Sequence, residues 1–176
     1  MKKSILLVKS LLIMSVLIVS CDNNDDSIQC PEAITGELIP IESDFTGRWE
    51  LKSITVEDEI DITDDNEDNP SLDLFAQYSE CQKDIVYNFN DDRSYELALG
   101  QVASDCSNKL KVEGTWKLSE TTLTLVANCS RDLIVIDVNE DATEFVLEAV
   151  YSFKDVDGNI IKTKATSTYE KQVTES

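Results

Sequence analysis

The chain has 176 residues, 35 acidic against 15 basic side chains, a formal charge of −20 and no histidine. Without histidine it has neither the commonest metal ligand nor a default base near neutral pH, and it cannot by itself build a Ser-His-Asp or Cys-His site. A pI near 4.1 has the wrong sign for gripping phosphate backbones, so nucleic acid is not an expected partner. At 41% hydrophobic, the chain has apolar material for one domain.

Lys2 and Lys3 precede an apolar stretch from Ile5 to Val19, broken only by Lys9, Ser10 and Ser15. As a helix it would span about 22 Å, short of a ~30 Å hydrocarbon core. It therefore reads as the apolar region of a secretion signal, with a retained membrane anchor as the alternative. The segment ends in Ile18-Val19-Ser20-Cys21, which resembles the bacterial lipobox. That resemblance implies a signal peptide over 1–20, lipid attachment at Cys21, and two or three acyl chains holding the protein to a membrane. Cleavage would remove three lysines and no acid, taking the charge from −20 to −23. The acyl chains are then the contact that favours a bilayer, because anionic headgroups repel the body.

Residues 21–43 follow as a lipidated N-terminus and an acidic tether, beginning Asp22-Asn23-Asn24-Asp25-Asp26. Acids just behind a lipidated cysteine resemble the surface-export signals of Bacteroidetes lipoproteins. The resemblance implies an outer-membrane lipoprotein exposed at the cell surface, with a periplasm-facing one as the alternative. Asp26-Ser27-Ile28 resembles the O-glycosylation acceptor of that phylum, though it also reads as plain linker.

With Cys21 set aside, Cys30, Cys81, Cys106 and Cys129 remain, an even number that in an exported chain implies disulfides. Three connectivities are open. One pairs Cys81 with Cys106 across a hairpin unit and leaves Cys30 for Cys129, which would pin the N-terminal segment and shorten the free tether to 22–29. Buried free thiols are the alternative, and no short Cys spacing supports zinc.

From Asp44 onward strand follows strand. Phe45–Val56 alternates around Trp49 and Leu51 and then slips phase, which predicts a bulge near Ser53. Residues 57–69 carry acids and no base and read as a mobile loop. Asn69-Pro70 is a helix start with Leu72, Phe75 and Ala76 on one face, suited to a lid. Further strands are expected at 85–89, 94–99, 110–118, 123–126, 133–136, 145–153 and 160–169, the stretch Leu133–Ile136 being apolar on both faces. Eight strands with short turns predict an all-β, antiparallel up-and-down barrel over 44–171, with one short helix after the first strand and a tail at 172–176. A two-sheet sandwich is the runner-up.

Gly47-Arg48-Trp49 resembles the Gly-x-Trp signature of lipocalins, and Gly114-Thr115-Trp116 repeats it. With Cys81, Lys83-Asp84, the Phe89–Arg93 turn and Cys106, the layout resembles the lipocalin-like domains of Bacteroidetes lipoproteins. This implies a barrel whose first Trp packs across a closed end. The turn Asp91-Asp92-Arg93 departs from that pattern in lacking glycine.

One strand face gathers Trp49, Tyr87, Phe89, Tyr95, Trp116, Phe145, Tyr151, Phe153 and Tyr169. The candidate ligand-binding residues are Trp49, Tyr87, Tyr95, Trp116, Phe145, Tyr151 and Tyr169, with Thr163 and Ser167 as polar partners. A packed core is the competing reading. Asp155, Asp157 and Asn159 resemble half of a calcium loop, but Asp-Gly is equally a hairpin turn. No metal, cofactor or catalytic set is expected. Two functions follow: binding a small hydrophobic or amphipathic molecule, or serving as a non-enzymatic accessory subunit that contacts an envelope protein.

Overall fold

In a computed structural model of the chain, residues 29–172 are described. The proposed signal peptide, Cys21 and the Asp26-Ser27-Ile28 motif lie outside them. Eight strands close into one antiparallel barrel: β1 (Gly47–Ile60), β3 (Ile85–Phe89), β4 (Ser94–Leu99), β5 (Leu110–Ser119), β6 (Thr122–Ala127), β7 (Ser130–Val138), β8 (Glu144–Lys154) and β9 (Ile160–Lys171). Each pairs with the next, and β9 returns to β1 through rungs such as Leu51↔Tyr169 and Ile54↔Ser167. The up-and-down barrel implied by the Gly-x-Trp resemblance is therefore the fold.

The phase slip in β1 is a bulge. Its register with β9 shifts between Leu51 and Ser53, so Trp49 and Leu51 before the slip and Ile54 and Val56 after it are all buried. β1 also runs four residues past Val56, to Ile60, into the stretch expected to be mobile. Beyond it the acids fold the chain on themselves. Asp61 accepts from Thr63 N (3.0 Å) and Asn69 N (3.2 Å), and Asp65 accepts from Glu67 N (2.9 Å).

The helix expected from Pro70 begins later. Ser71–Asp73 is a short strand, β2, laddered on the outer half of β1, and α2 (Leu74–Gln77) and α3 (Glu80–Lys83) follow. Asp73 sets the start by accepting from Ala76 N (3.0 Å), and Ser79 with Gln82 does the same for α3. Gln77 fastens α2 to the end of β1, donating to Ile60 O and accepting from Ile62 N, both at 2.8 Å.

The cysteines pair as Cys30–Cys129 and Cys81–Cys106. The second bond works with Asp84, whose carboxylate accepts from Val102 N (2.6 Å) and Ala103 N (2.8 Å), to hold the loop after β4. The first fixes residue 30 to the β6–β7 turn. From there the chain runs down the barrel, with Ile34 N donating to Thr115 Oγ1 (2.8 Å), and passes beneath it as α1 (Pro40–Phe45). This helix falls in what reads as tether and first strand. Pro40 opens it, and Glu42 reaches back to accept from Ile39 N (2.8 Å).

Candidate ligand-binding site

The two ends of the barrel are built from one alternating face but filled differently. At the end where β1 begins, the ring of Phe45 from α1 stands in the lumen, 4.7 Å from Trp49, 5.0 Å from Phe89, 5.5 Å from Phe145 and 5.9 Å from Trp116, centroid to centroid. Both indoles of the Gly-x-Trp triplets tie this end shut, Trp49 Nε1 donating to Phe45 O (2.9 Å) and Trp116 Nε1 to Asn90 O (3.0 Å). Gly114 is required one turn of the pleat away. A Cβ there would stand 2.7 Å from Tyr95 Cε1 and 2.8 Å from Ala127 Cβ, and would meet the Val126 carbonyl.

The turn that lacks glycine supplies the other fastening. Arg93 occupies the left-handed position itself (φ 73°) and sends its guanidinium inward. Its Nη2 donates to Glu42 Oε2 (2.8 Å) and to Glu37 O (2.7 Å), Nη1 donates to the other carboxylate oxygen, and Nε donates to Gly36 O (3.2 Å). Glu42, fully buried, also accepts from Leu118 N (3.2 Å). Burial works to raise the Glu42 pKa, but the bonds from Arg93, Ile39 N and Leu118 N outweigh it and hold the carboxyl below its usual range.

Above this seal the lumen opens into a cavity of about 200 Å³. Its aliphatic wall is Ile54, Ile85, Leu147 and Ala165, and its aromatic wall is Tyr78, Tyr151, Phe153 and Tyr169, with Ser167 among them. Phenols are the only ionisable groups lining it. Burial first, and neighbouring phenols second, push the Tyr169 and Tyr78 hydroxyls above their ordinary pKa; burial likewise leads the rise of Tyr87, to about 12. No hydrogen bond contributes to any of the three shifts. No fully buried side-chain polar atom lacks a partner among the described residues, so these hydroxyls look onto open space. They stay protonated near neutral pH and are available to donate.

The candidate residues therefore divide. Tyr151 and Tyr169 line the cavity. Tyr87 stands between cavity and seal, stacked on Phe89 (5.6 Å) and edge-on to Tyr169 (5.5 Å). Trp49, Trp116, Phe145 and Tyr95 are buried in the core. Thr163 is buried and accepts from Asp58 N (3.3 Å), while Ser167 faces the cavity. Among the lining residues, Ile54, Ile85, Leu147 and Ala165 share the alternation of the aromatics, so period two could have found them. Tyr78 comes from the end of α2, and no local signal places it there.

Two further features frame the site. A groove of about 450 Å³ lies outside the barrel between β1, β3 and α3, and Ile85 lines both it and the cavity. At the β8–β9 turn, Asp155 accepts from Asn159 N (2.7 Å) and Asn159 Nδ2 (2.9 Å), with Gly158 in the left-handed region (φ 88°). Its carboxylate is thus engaged in making the hairpin.

A closed eight-stranded up-and-down barrel, sealed at one end and opening at the other into a small phenol-lined cavity, is a lipocalin-like fold. The chain belongs to the family described as a domain of unknown function (DUF5004), which matches residues 23–172. Among solved structures it is similar to insecticyanin from the tobacco hornworm Manduca sexta, at 12% identity over 84% of this chain and 72% of that one, with a TM-score of 0.43. No curated protein matches the chain. Its two disulfides are those of a protein that folds outside the cytoplasm.

Proposed function

We propose that the protein is a lipid-anchored cell-envelope barrel, attached through Cys21, that binds a small, uncharged, hydrophobic or amphipathic molecule without transforming it. The cavity carries this reading: an apolar wall with protonated phenols lacking partners suits a molecule that presents a ring or short chain and one hydrogen-bond acceptor. A charged ligand would be desolvated there with nothing to pair it. At about 200 Å³ the space is below the roughly 300–1,000 Å³ of sites for drug-sized ligands, so the cargo is small.

Indole is a suitable probe. Titrated into residues 22–176 with disulfides intact, it should shift NMR signals of Leu147, Ala165, Ser167 and Tyr169. Ala165→Phe, which fills the cavity, should abolish those shifts; shifts that survive it, or none at all, defeat the carrier reading. The anchor is tested separately. Cys21→Ser should release the protein from membranes, and continued membrane fractionation through the N-terminus would contradict lipidation. The second reading, an accessory subunit working through protein contacts, is favoured by exposed apolar side chains on β7 and β8.

A further inference from the structure

The barrel is not laced along its full height. β7 and β8 share only the rungs Ile136↔Leu147, Asp137↔Val146 and Val138↔Phe145, all near the sealed end. Toward the open end β7 continues beside β6 as far as Ala127↔Ser130, and β8 continues beside β9 as far as Lys154↔Ile160. Between them the sheet has a slot.

Strand geometry fixes which backbone groups face it. Ile136 N donates to Thr121 O on the β6 side (2.8 Å), so Leu133 and Arg131 turn their N–H and C=O to the opposite edge. Glu144 O accepts from Asn139 N (3.0 Å) on the β7 side, so Val150 and Ser152 face the same opening. Beside these groups stand Leu133, Val135, Val150 and Tyr151, exposed by 67%, 68%, 59% and 43%. Native proteins ordinarily blunt such an edge with Pro, Lys, a bulge or a covering segment. No Pro, Lys or bulge interrupts Leu133–Ile136.

We propose that the slot receives one extended strand of another protein, which completes the sheet between β7 and β8. Two strand edges select an extended backbone, and charge selects its side chains. A second copy of the processed chain would bring −23 against −23, so the occupant is a heterologous, basic strand. Asp132 sets the register of its charges. Opposite Leu125 on the inner face, it is felt by the buried phenols of Tyr87 and Tyr95, and Ser130 Oγ (3.3 Å) is its one side-chain partner among the described residues. Inward Lys or Arg side chains of the guest meet Asp132, and outward apolar ones cover Leu133, Val135 and Val150. This is recognition by strand addition, and it gives the accessory-subunit reading, on which it rests, a partner of defined chemistry.

The test uses residues 22–176 with disulfides intact and a blocked heptapeptide alternating Lys and Val. Amide exchange at Leu133, Val150 and Ser152 should slow by at least about tenfold with the peptide bound. Asp132→Asn should weaken binding. Leu133→Pro, whose lost N–H points into the slot and not at β6, should remove it while the far-UV spectrum is kept. A peptide of equal charge with central prolines should give no protection. Equal protection by the proline peptide, or none by either, overturns the proposal. A doubled mass with the same amides protected and no peptide effect overturns the choice of occupant. Peptide binding insensitive to the slot variants, with protection elsewhere, would keep a protein-contact role while refuting this site. Indole shifts at Tyr169 report the cavity independently.

Discussion

The sealed end and the open end of the barrel use the same inward face of the same strands, yet only one of them is finished. At the sealed end α1 delivers Phe45 into the lumen, both indole N–H groups find carbonyls, and Glu42 and Arg93 satisfy each other. At the open end three tyrosines and Phe153 line a cavity, the phenols lack partners, and β7 and β8 part. The difference comes from a segment outside the strands. Where residues 34–45 pass beneath the barrel its interior is solid; at the other end, among the described residues, Tyr78 alone reaches in from outside the barrel strands, and a cavity remains. The fastenings are concentrated at one end, and the other is left open.

The comparison is broken most directly by truncating one aromatic at each end. Trp49→Ala removes a fully buried indole and should cost about 3–5 kcal/mol in urea unfolding. Tyr151→Ala at the mouth should cost less than about 1 kcal/mol, as exposed positions do. Equal losses would erase the distinction.

Glu42→Gln leaves the Arg93 guanidinium buried without its counter-charge and should cost about 3 kcal/mol or more. Replacing both, as Glu42→Leu with Arg93→Met, should cost less than either single change, which a double-mutant cycle would read. Gly114→Ala forces a methyl against Tyr95 and the β6 backbone and should lose about 1–3 kcal/mol in the same assay.

The smallest effects are in pH. Glu42 has a folded pKa below its unfolded value, so its contribution is full above the unfolded value and disappears as pH falls through the folded one. Acid unfolding should therefore steepen below about pH 4.5, and less so in Glu42→Gln. Tyr87 has the opposite sign. With its folded pKa pushed up to about 12, its contribution is full below about pH 10 and is lost as pH rises through 12. Ultraviolet titration of the folded protein should show this phenol ionising near pH 12.

How much was legible in the sequence follows the same division. Apolar runs and turn spacing placed all eight barrel strands, and the slip in alternation along β1 placed the bulge. Alternation also marked the aromatic face, but could not say where that face is filled. Filling depends on Phe45 reaching Phe89, Trp116 and Phe145, and on Glu42 meeting Arg93, 51 positions away in sequence. Arg93 stands where glycine was expected, and its left-handed backbone is held by partners that no local pattern shows. The later start of the helix has a simpler cause: Pro70 is a strong helix start, but Ser71–Asp73 has β1 to ladder on, and Asp73 is the better cap. Leu133–Ile136 reads as a strand apolar on both faces. Leu133 and Val135 are exposed because they alternate with Asp132, Ile134 and Ile136 and so stand on the outer face of the barrel.

On the proposed function, the open end holds a small molecule while the sealed end holds the fold. Gentle native mass spectrometry of residues 22–176, exported and purified from cells that make the full protein, tests it most directly. A reproducible added mass that leaves on denaturation is expected, with a bare Ala165→Phe variant that unfolds like the parent. A bare parent, or an adduct that persists when Ala165→Phe fills the cavity, would contradict it.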